Sequence, residues 1–339
     1  MRTDPTAPAG AGLSCYTENL LDYLSAYSPH AAELLARSVR LAVDPDTGRF
    51  SHHDRALNDL PGNRRLAYRG APDAATALTG IAAELAAHGR ALVVADSAAL
   101  PWLTGTADHH APHLVLVNGR TPHGTWQVAD GFTALFNSGG SQDPFAGELS
   151  DSEFTALLAF PDGLSRTHRI RNTLAFGFPV APPAYATYQW LAVEQGATVE
   201  QLPGGPWLTG TAALQETARL LAEDMAGDGP RGVLEDVWAA AQHHLFRDAH
   251  LLAGAGAPLT PGEREAVEAT TAKWREVPRM LRFAANSARR GRPRPSLVEG
   301  AFTALAEREA AAAPVHAAHG CATPADRPTA GRSPVRQGG

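Results

Sequence analysis

The chain has 339 residues, of which 44% are apolar and 19% charged, and its formal charge is −6. That length exceeds one minimal domain and supplies ample material for a buried core. The acidic balance argues against a nucleic-acid partner, which leaves a basic footprint. With no run of 18 apolar residues, no membrane span is expected.

Residues 1–12, rich in Pro, Ala and Gly, read as a flexible leader. They lack the apolar segment of a signal peptide, so a cytoplasmic location is expected. From Cys15 the apolar positions Tyr16, Leu20, Leu21, Leu24 and Tyr27 follow helical spacing, with Ser14 as N-cap and Pro29 beyond the end. Cys15 then lies in the first turn of a helix. Residues 44–72 are punctuated by Asp, Gly and Pro and read as loop or short strands. A helix is expected over 73–88, ended by Gly89, and a strand over 90–95. Two further strands are expected at 113–117 and 125–130, and the Gly-rich stretch 137–144 reads as a loop or linker.

Beyond residue 150 the segments 151–160, 184–195, 210–226, 230–252, 261–288 and 295–312 predict helices. Residues 313–339 read as a disordered tail that buries too little apolar surface to repay ordering. The expected organisation is therefore a leader (1–12), an α+β unit (13–150), a mainly helical unit (151–312) and a tail (313–339). The heptapeptide Pro-Trp-Leu-Thr-Gly-Thr-Ala occurs at 101–107 and again at 206–212 without matching flanks, so it is not a solenoid repeat.

The residues also bound the chemistry. Lys273 is the chain's one lysine, and no glycine-rich loop precedes it. A phosphate-binding P-loop and a Schiff-base lysine are both poor fits. Two cysteines, Cys15 and Cys321, exclude thiolate-rich zinc sites and a disulfide framework. The histidine groups 109/110/113, 52/53 and 243/244/250 lack the convergent ligand spacing of a metal centre, and no metal or other bound cofactor is expected.

A thiol at a helix N-terminus beside a histidine has its pKa lowered from about 8.5 to roughly 3.5–7.5. Were the strands at 113–117 and 125–130 a hairpin with Val117 opposite Trp126, His113 would fall opposite Asp130, within side-chain reach. A carboxylate there orients an imidazole as the third member of a catalytic triad does. A tight turn at Asn118-Gly119 would set His113 beside Gly124 instead, with Pro122 and Gly124 inside the returning strand. A small buried thiol, a strand-edge histidine and a turn aspartate are the structural alternative to Cys15/His113/Asp130.

Four ordered elements carry a family resemblance. They are Cys15-Tyr-Thr-Glu-Asn-Leu-Leu21; the strand ending in Asp96 with Leu100-Pro-Trp102 after it; His113 opening an apolar strand that runs to Gly119; and a strand ending in Asp130-Gly131. Over roughly 13–135 they resemble the N-terminal domain of the butirosin biosynthesis protein H family, and more broadly papain-like cysteine hydrolases. The resemblance implies an α+β papain-like core, a Cys-bearing helix against an antiparallel sheet carrying His and Asp, followed by a mainly helical domain.

It also implies acyl transfer from an acyl carrier protein or other thioester donor to a small-molecule amine. Phosphopantetheine would be on the carrier, Cys15 the nucleophile, His113 the base and Asp130 its orienter. A thiol hydrolase or peptidase, or a non-catalytic carrier- or peptide-binding module, are the alternatives. Tyr16, Asn19 and Asp96 are candidate substrate contacts; Asn19 is equally a structural hydrogen-bonder and Asp96 a helix cap. No Gln precedes Cys15 to serve as the oxyanion donor that papain-like proteases use. The run Arg289-Arg290-Gly291-Arg292-Pro293-Arg294 reads as a solvated turn or a dock for an acidic carrier.

Overall fold

A computed structural model describes residues 12–103, 110–135, 141–158, 165–178, 180–183, 187–196, 207–227, 233–254 and 257–321. The expected leader (apart from residue 12), the tail beyond residue 321 and residues 137–140 of the Gly-rich stretch lie outside the described residues. The chain is α+β, with antiparallel sheets and helices.

In chain order the elements are α1 (Cys15–Ser25), α2 (Ala31–Ser38), β1 (Val39–Asp44), β2 (Arg49–His53), β3 (Asp59–Leu60), β4 (Arg64–Ala71), α3 (Ala74–His88), β5 (Ala91–Asp96), β6 (Pro112–Arg120), β7 (Trp126–Asp130), β8 (Ala134–Leu135), β9 (Ser141–Gln142) and β10 (Phe145–Leu149). There follow α4 (Asp151–Leu158), α5 (Ser165–Phe176), β11 (Tyr188–Gln195), β12 (Leu208–Thr209), α6 (Gly210–Ala226), α7 (Val233–Leu252), α8 (Pro261–Arg289) and α9 (Pro295–Ala318).

Among the described residues the main sheet has the order β10-β7-β6-β5-β11-β4-β3, every neighbouring pair antiparallel. Its strands alternate side chains between two apolar layers. Leu92, Val94, Leu114, Leu116 and Leu191 pack with Tyr16 and Leu20 of α1 on one face. Val93, Ala95, Val115, Val117 and Trp190 pack with Ile81 of α3 and Phe154 of α4 on the other. Each such side chain contributes about 1.5–3 kcal/mol when fully buried, so α1 is held on the sheet by its own apolar stripe. A third core joins α6–α9 to Leu41 and Val43 of β1 and Phe50 of β2.

Local signals set the ends of α1 and α3. The Ser14 hydroxyl accepts from Thr17 N at 3.1 Å, so Cys15 opens α1. Asp73 caps α3, and Gly89, with φ of +73°, ends it. Such caps are each worth about 1 kcal/mol, and glycine takes the left-handed end without a Cβ clash.

Three expectations change. The segment 184–195 is not helical: its described part forms β11, which lies between β4 and β5 in the main sheet. Trp190, Leu191 and Ala192 are buried on alternating faces, and an apolar run this short does not distinguish a buried helix from a central strand. Because β11 joins the sheet, that sheet extends past the boundary expected at residue 150. The described end of the Gly-rich stretch, residues 141–144, is no linker either, since Ser141–Gln142 pairs with Ala134–Leu135 and β10 extends the sheet beside β7.

The tail, lastly, does not begin at 313. Helix α9 runs through Pro314 to Ala318, Val315 and His316 are buried, and Cys321 is buried too. His316 Nε2 hydrogen-bonds Asp248 at 3.1 Å, and Arg247 ties Asp248 to Glu309. These bonds and the buried apolar surface offset the roughly 3 kcal/mol an interior proline costs.

Candidate active site

The site lies where β6 begins and β7 ends, beneath the N-terminus of α1. The two strands do form a hairpin, but its turn and register differ from the expected ones. Asn118 and Gly119 stay within β6, and the turn is Thr121-Pro122-His123-Gly124, with Gly124 N donating to Thr121 O at 2.9 Å and Gly124 at φ +88°. Proline at the second turn position and a left-handed glycine at the fourth favour this turn over Asn-Gly. Arg120 pairs with Trp126 and, past a bulge at Asn118, Val117 with Val128. Continuing that register sets Asp130 opposite Val115, so His113 lies on its diagonal, 7–8 Å between backbones and still reachable by long side chains.

His113 Nε2 bonds Asp130 Oδ2 at 2.8 Å, and the Cys15 thiol lies beside the same ring, close enough for each to shift the other's pKa. The structure thus brings Cys15, His113 and Asp130 together. All three are buried, Cys15 with 5% of its surface exposed and Asp130 with none.

Asp130 is held by five donors. Trp102 Nε1 and Gln142 Nε2 join His113 at Oδ2, while Asn19 Nδ2 and Phe132 N reach Oδ1. Burial opposes its ionisation, but the His113 cation and these hydrogen bonds hold its carboxyl down at about 2. Burial likewise disfavours the His113 imidazolium. The Cys15 sulfur and the Asp130 carboxylate outweigh that and push its pKa up to about 10. At Cys15 burial raises the pKa, yet His113 beside it and Arg171 bring the thiol below its ordinary value. The imidazolium of His113 thus favours the thiolate form of Cys15, at the helix end whose dipole also favours an anion.

The candidate substrate contacts fare differently. Asn19 Nδ2 donates to Cys15 O, Leu114 O and Asp130 Oδ1, and its Oδ1 accepts from Gly131 N. Its amide is therefore committed to holding the site together. Gly131 permits this approach, because a Cβ there would meet Asp22 and Glu18 of α1 at 3.0–3.1 Å. Tyr16 is fully buried, and its hydroxyl bonds His168 Nδ1 at 2.6 Å, so it supports α1 and does not face a ligand. Asp96 pairs with Pro112 beside His113, but its carboxylate caps the turn at Ala98 N and bonds His110 Nδ1 at 2.6 Å. The cap reading of Asp96 describes its contacts.

Four site residues were not singled out for these roles in the sequence. Trp102 and Gln142 reach Asp130 from a turn and from β9. Arg171 of α5 donates to Pro112 O and, through Nε, to Glu235 of α7 at 2.6 Å. Trp102 belongs to the Leu-Pro-aromatic element of the resemblance. The other three carry no local signal, since their partners are distant in sequence.

Several of the other histidines are tied to protein partners. His52 bonds Asp236, His53 bonds Ser38, and His243 bonds Thr17. Among the described residues no group of His, Cys, Asp and Glu is arranged to hold a metal, and no helix is long and apolar enough to cross a membrane. The Arg289–Arg294 run forms an exposed turn between α8 and α9. No protein-family model matches the chain, and no curated protein is similar to it.

Proposed function

We propose that the protein is a cysteine-dependent acyltransferase of specialised metabolism, built on a papain-like core with a mainly helical part after it. The observation that carries this reading is the meeting of Cys15 with the hydrogen-bonded His113–Asp130 pair at the start of α1. In this reading the Cys15 thiolate attacks a thioester carbonyl, and His113 gives its proton to the departing thiol. An acyl-cysteine results. His113, now neutral, takes a proton from the incoming amine as that amine attacks, and Asp130 keeps the ring in one tautomer throughout.

The donor is an acyl thioester, with a carrier protein as the macromolecular source and the exposed Arg289–Arg294 turn as a complementary surface for its acidic face. The test is mass spectrometry of the intact protein incubated with acyl N-acetylcysteamine thioesters, with and without amines. The reading requires a mass increase on Cys15 that an amine discharges. Discharge by water at the same rate would make the protein a thiol hydrolase. No adduct with any thioester would leave a non-catalytic module.

A further inference from the structure

Acyl transfer needs more than a nucleophile and a base, because negative charge develops on the carbonyl oxygen as the sulfur adds. The chain has no glutamine before Cys15. Asn19 is committed to Cys15 O, Leu114 O and Asp130, and Gln142 Nε2 is committed to Asp130. At the start of α1, Thr17 N goes to the Ser14 hydroxyl and Glu18 N to Ser14 O, so the N–H groups of Cys15 and Tyr16 precede the helix's own ladder. One side-chain donor is still needed.

We propose that Arg171 supplies it: its guanidinium donates to the thioester oxygen while Cys15 adds to the carbonyl, together with the backbone N–H of Cys15. This rests on the acyl-transfer reading above. Helix α5 is anchored on both sides of the site. His168 holds Tyr16, the neighbour of Cys15, and Arg171, one turn later, holds the carbonyl of Pro112, the neighbour of His113. The guanidinium is thereby fixed at the seam between the nucleophile's helix and the base's strand. Glu235 orients it through Nε at 2.6 Å. Two of its five N–H donors are so used, and the others meet no protein acceptor among the described residues. Its side chain stays 19% exposed, open to a ligand where the thiol is nearly closed off. The field of Arg171 also reaches Cys15, where it lowers the thiol's pKa.

The step balances as follows. Sγ forms a bond to the carbonyl carbon, and the C=O π pair moves to oxygen, to which Arg171 and the Cys15 N–H donate hydrogen bonds. The C=O then re-forms as the donor's C–S bond breaks, and the proton on His113 goes to the leaving thiolate.

Alkylation by iodoacetamide passes through no such oxyanion, so it separates the two effects Arg171 has on Cys15. The full chain, Arg171→Gln and Arg171→Lys are each reacted with iodoacetamide and with an acyl N-acetylcysteamine thioester at pH 7. The expected result for Arg171→Gln is acylation slowed about 100-fold or more with alkylation slowed less than about tenfold, and partial recovery of acylation in Arg171→Lys, which keeps the charge without the planar fork. The alkylation rate doubles as a check that the site is folded, and the lysine variant serves if the glutamine variant does not fold. Equal slowing of both reactions, or acylation unchanged, would overturn the assignment. A native protein that alkylates rapidly yet accepts no thioester sinks the acyl-transfer reading itself, and this inference with it.

Discussion

Asn19 Nδ2 lies 2.9 Å from Asp130 Oδ1, and the same nitrogen donates to the carbonyls of Cys15 and Leu114. One buried amide therefore fastens the helix that carries the thiol to the strands that carry its base and orienter. Asn19→Ala leaves those acceptors without their donor, at a cost of about 1–3 kcal/mol, and lets α1 shift against β6. The expected outcome is a lowered denaturation midpoint together with slower alkylation of Cys15. Alkylation at the native rate in the folded variant would show that Asn19 does not position the thiol.

The lowered thiol pKa and the raised His113 pKa fix the pH profile of Cys15. The charge on His113 persists up to about pH 10 and, over the range below that, favours the thiolate form of the sulfur beside it. Iodoacetamide labelling of Cys15 should therefore rise less from pH 7 to pH 9 than that of an ordinary thiol, which rises roughly 20-fold, and an equal rise would show that the thiol is not activated. Cys321, buried and with its pKa raised by that burial, stays unlabelled under the same conditions. Peptide mapping after labelling checks both statements.

Asp130 makes a separate prediction in acid. Its folded-state pKa, about 2, lies below the ordinary 3.8, so the stability it contributes is present above about pH 4 and is lost as the pH falls toward 2. The shift corresponds to about 2–3 kcal/mol. Asp130→Asn removes that term, so native and variant stabilities measured by urea unfolding should converge between pH 4 and pH 2. A constant gap across that range would mean the carboxylate is not held ionised.

Tyr16→Phe removes the 2.6 Å bond to His168 and nothing else from the site. The expected cost is about 1–2 kcal/mol of stability, with the KM for a thioester unchanged. A raised KM with unchanged stability would restore Tyr16 as a substrate contact.

Gly80→Ala tests the opposite layer of the sheet. Alanine gains up to about 1 kcal/mol of helix propensity, but its Cβ would run into the ring of Trp190 on β11. Overpacking of that kind costs about 1–3 kcal/mol, so thermal unfolding should occur at a lower temperature despite the better helix former.

Local chemistry was legible where a few adjacent residues decide the outcome. Ser14 and the apolar stripe of α1, Asp73 and Gly89 around α3, and the apolar runs of β5 and β6 all carry their own signals. So did the residue types that meet at the site, although the register that joins His113 to Asp130 did not. That register depends on a bulge at Asn118, which shifts the pairing by one position and which alternation of apolar residues does not encode. Strand β11 was hidden because a short apolar run fits either periodicity. Helix α5 was hidden because polar side chains break up its apolar pattern: His168, Arg171 and Asn172 bond Tyr16, Pro112 and Tyr68, none of them nearby in sequence.

The seat of β11 between β4 and β5 has a consequence for biosynthesis. The two older halves of the sheet adjoin only through a strand made about ninety residues after β5, a gap of roughly 5–20 s at cellular translation speeds. During that interval the inner edges of β4 and β5 are open ladders, ready to pair with any extended chain. Val193 N, beyond the short pairing of β11 with β5, is met by the carboxylate of Glu84, which already waits on α3. The nascent protein thus carries a prepared slot for its late strand, and a ribosome stalled before residue 195 would release a product with two adhesive borders.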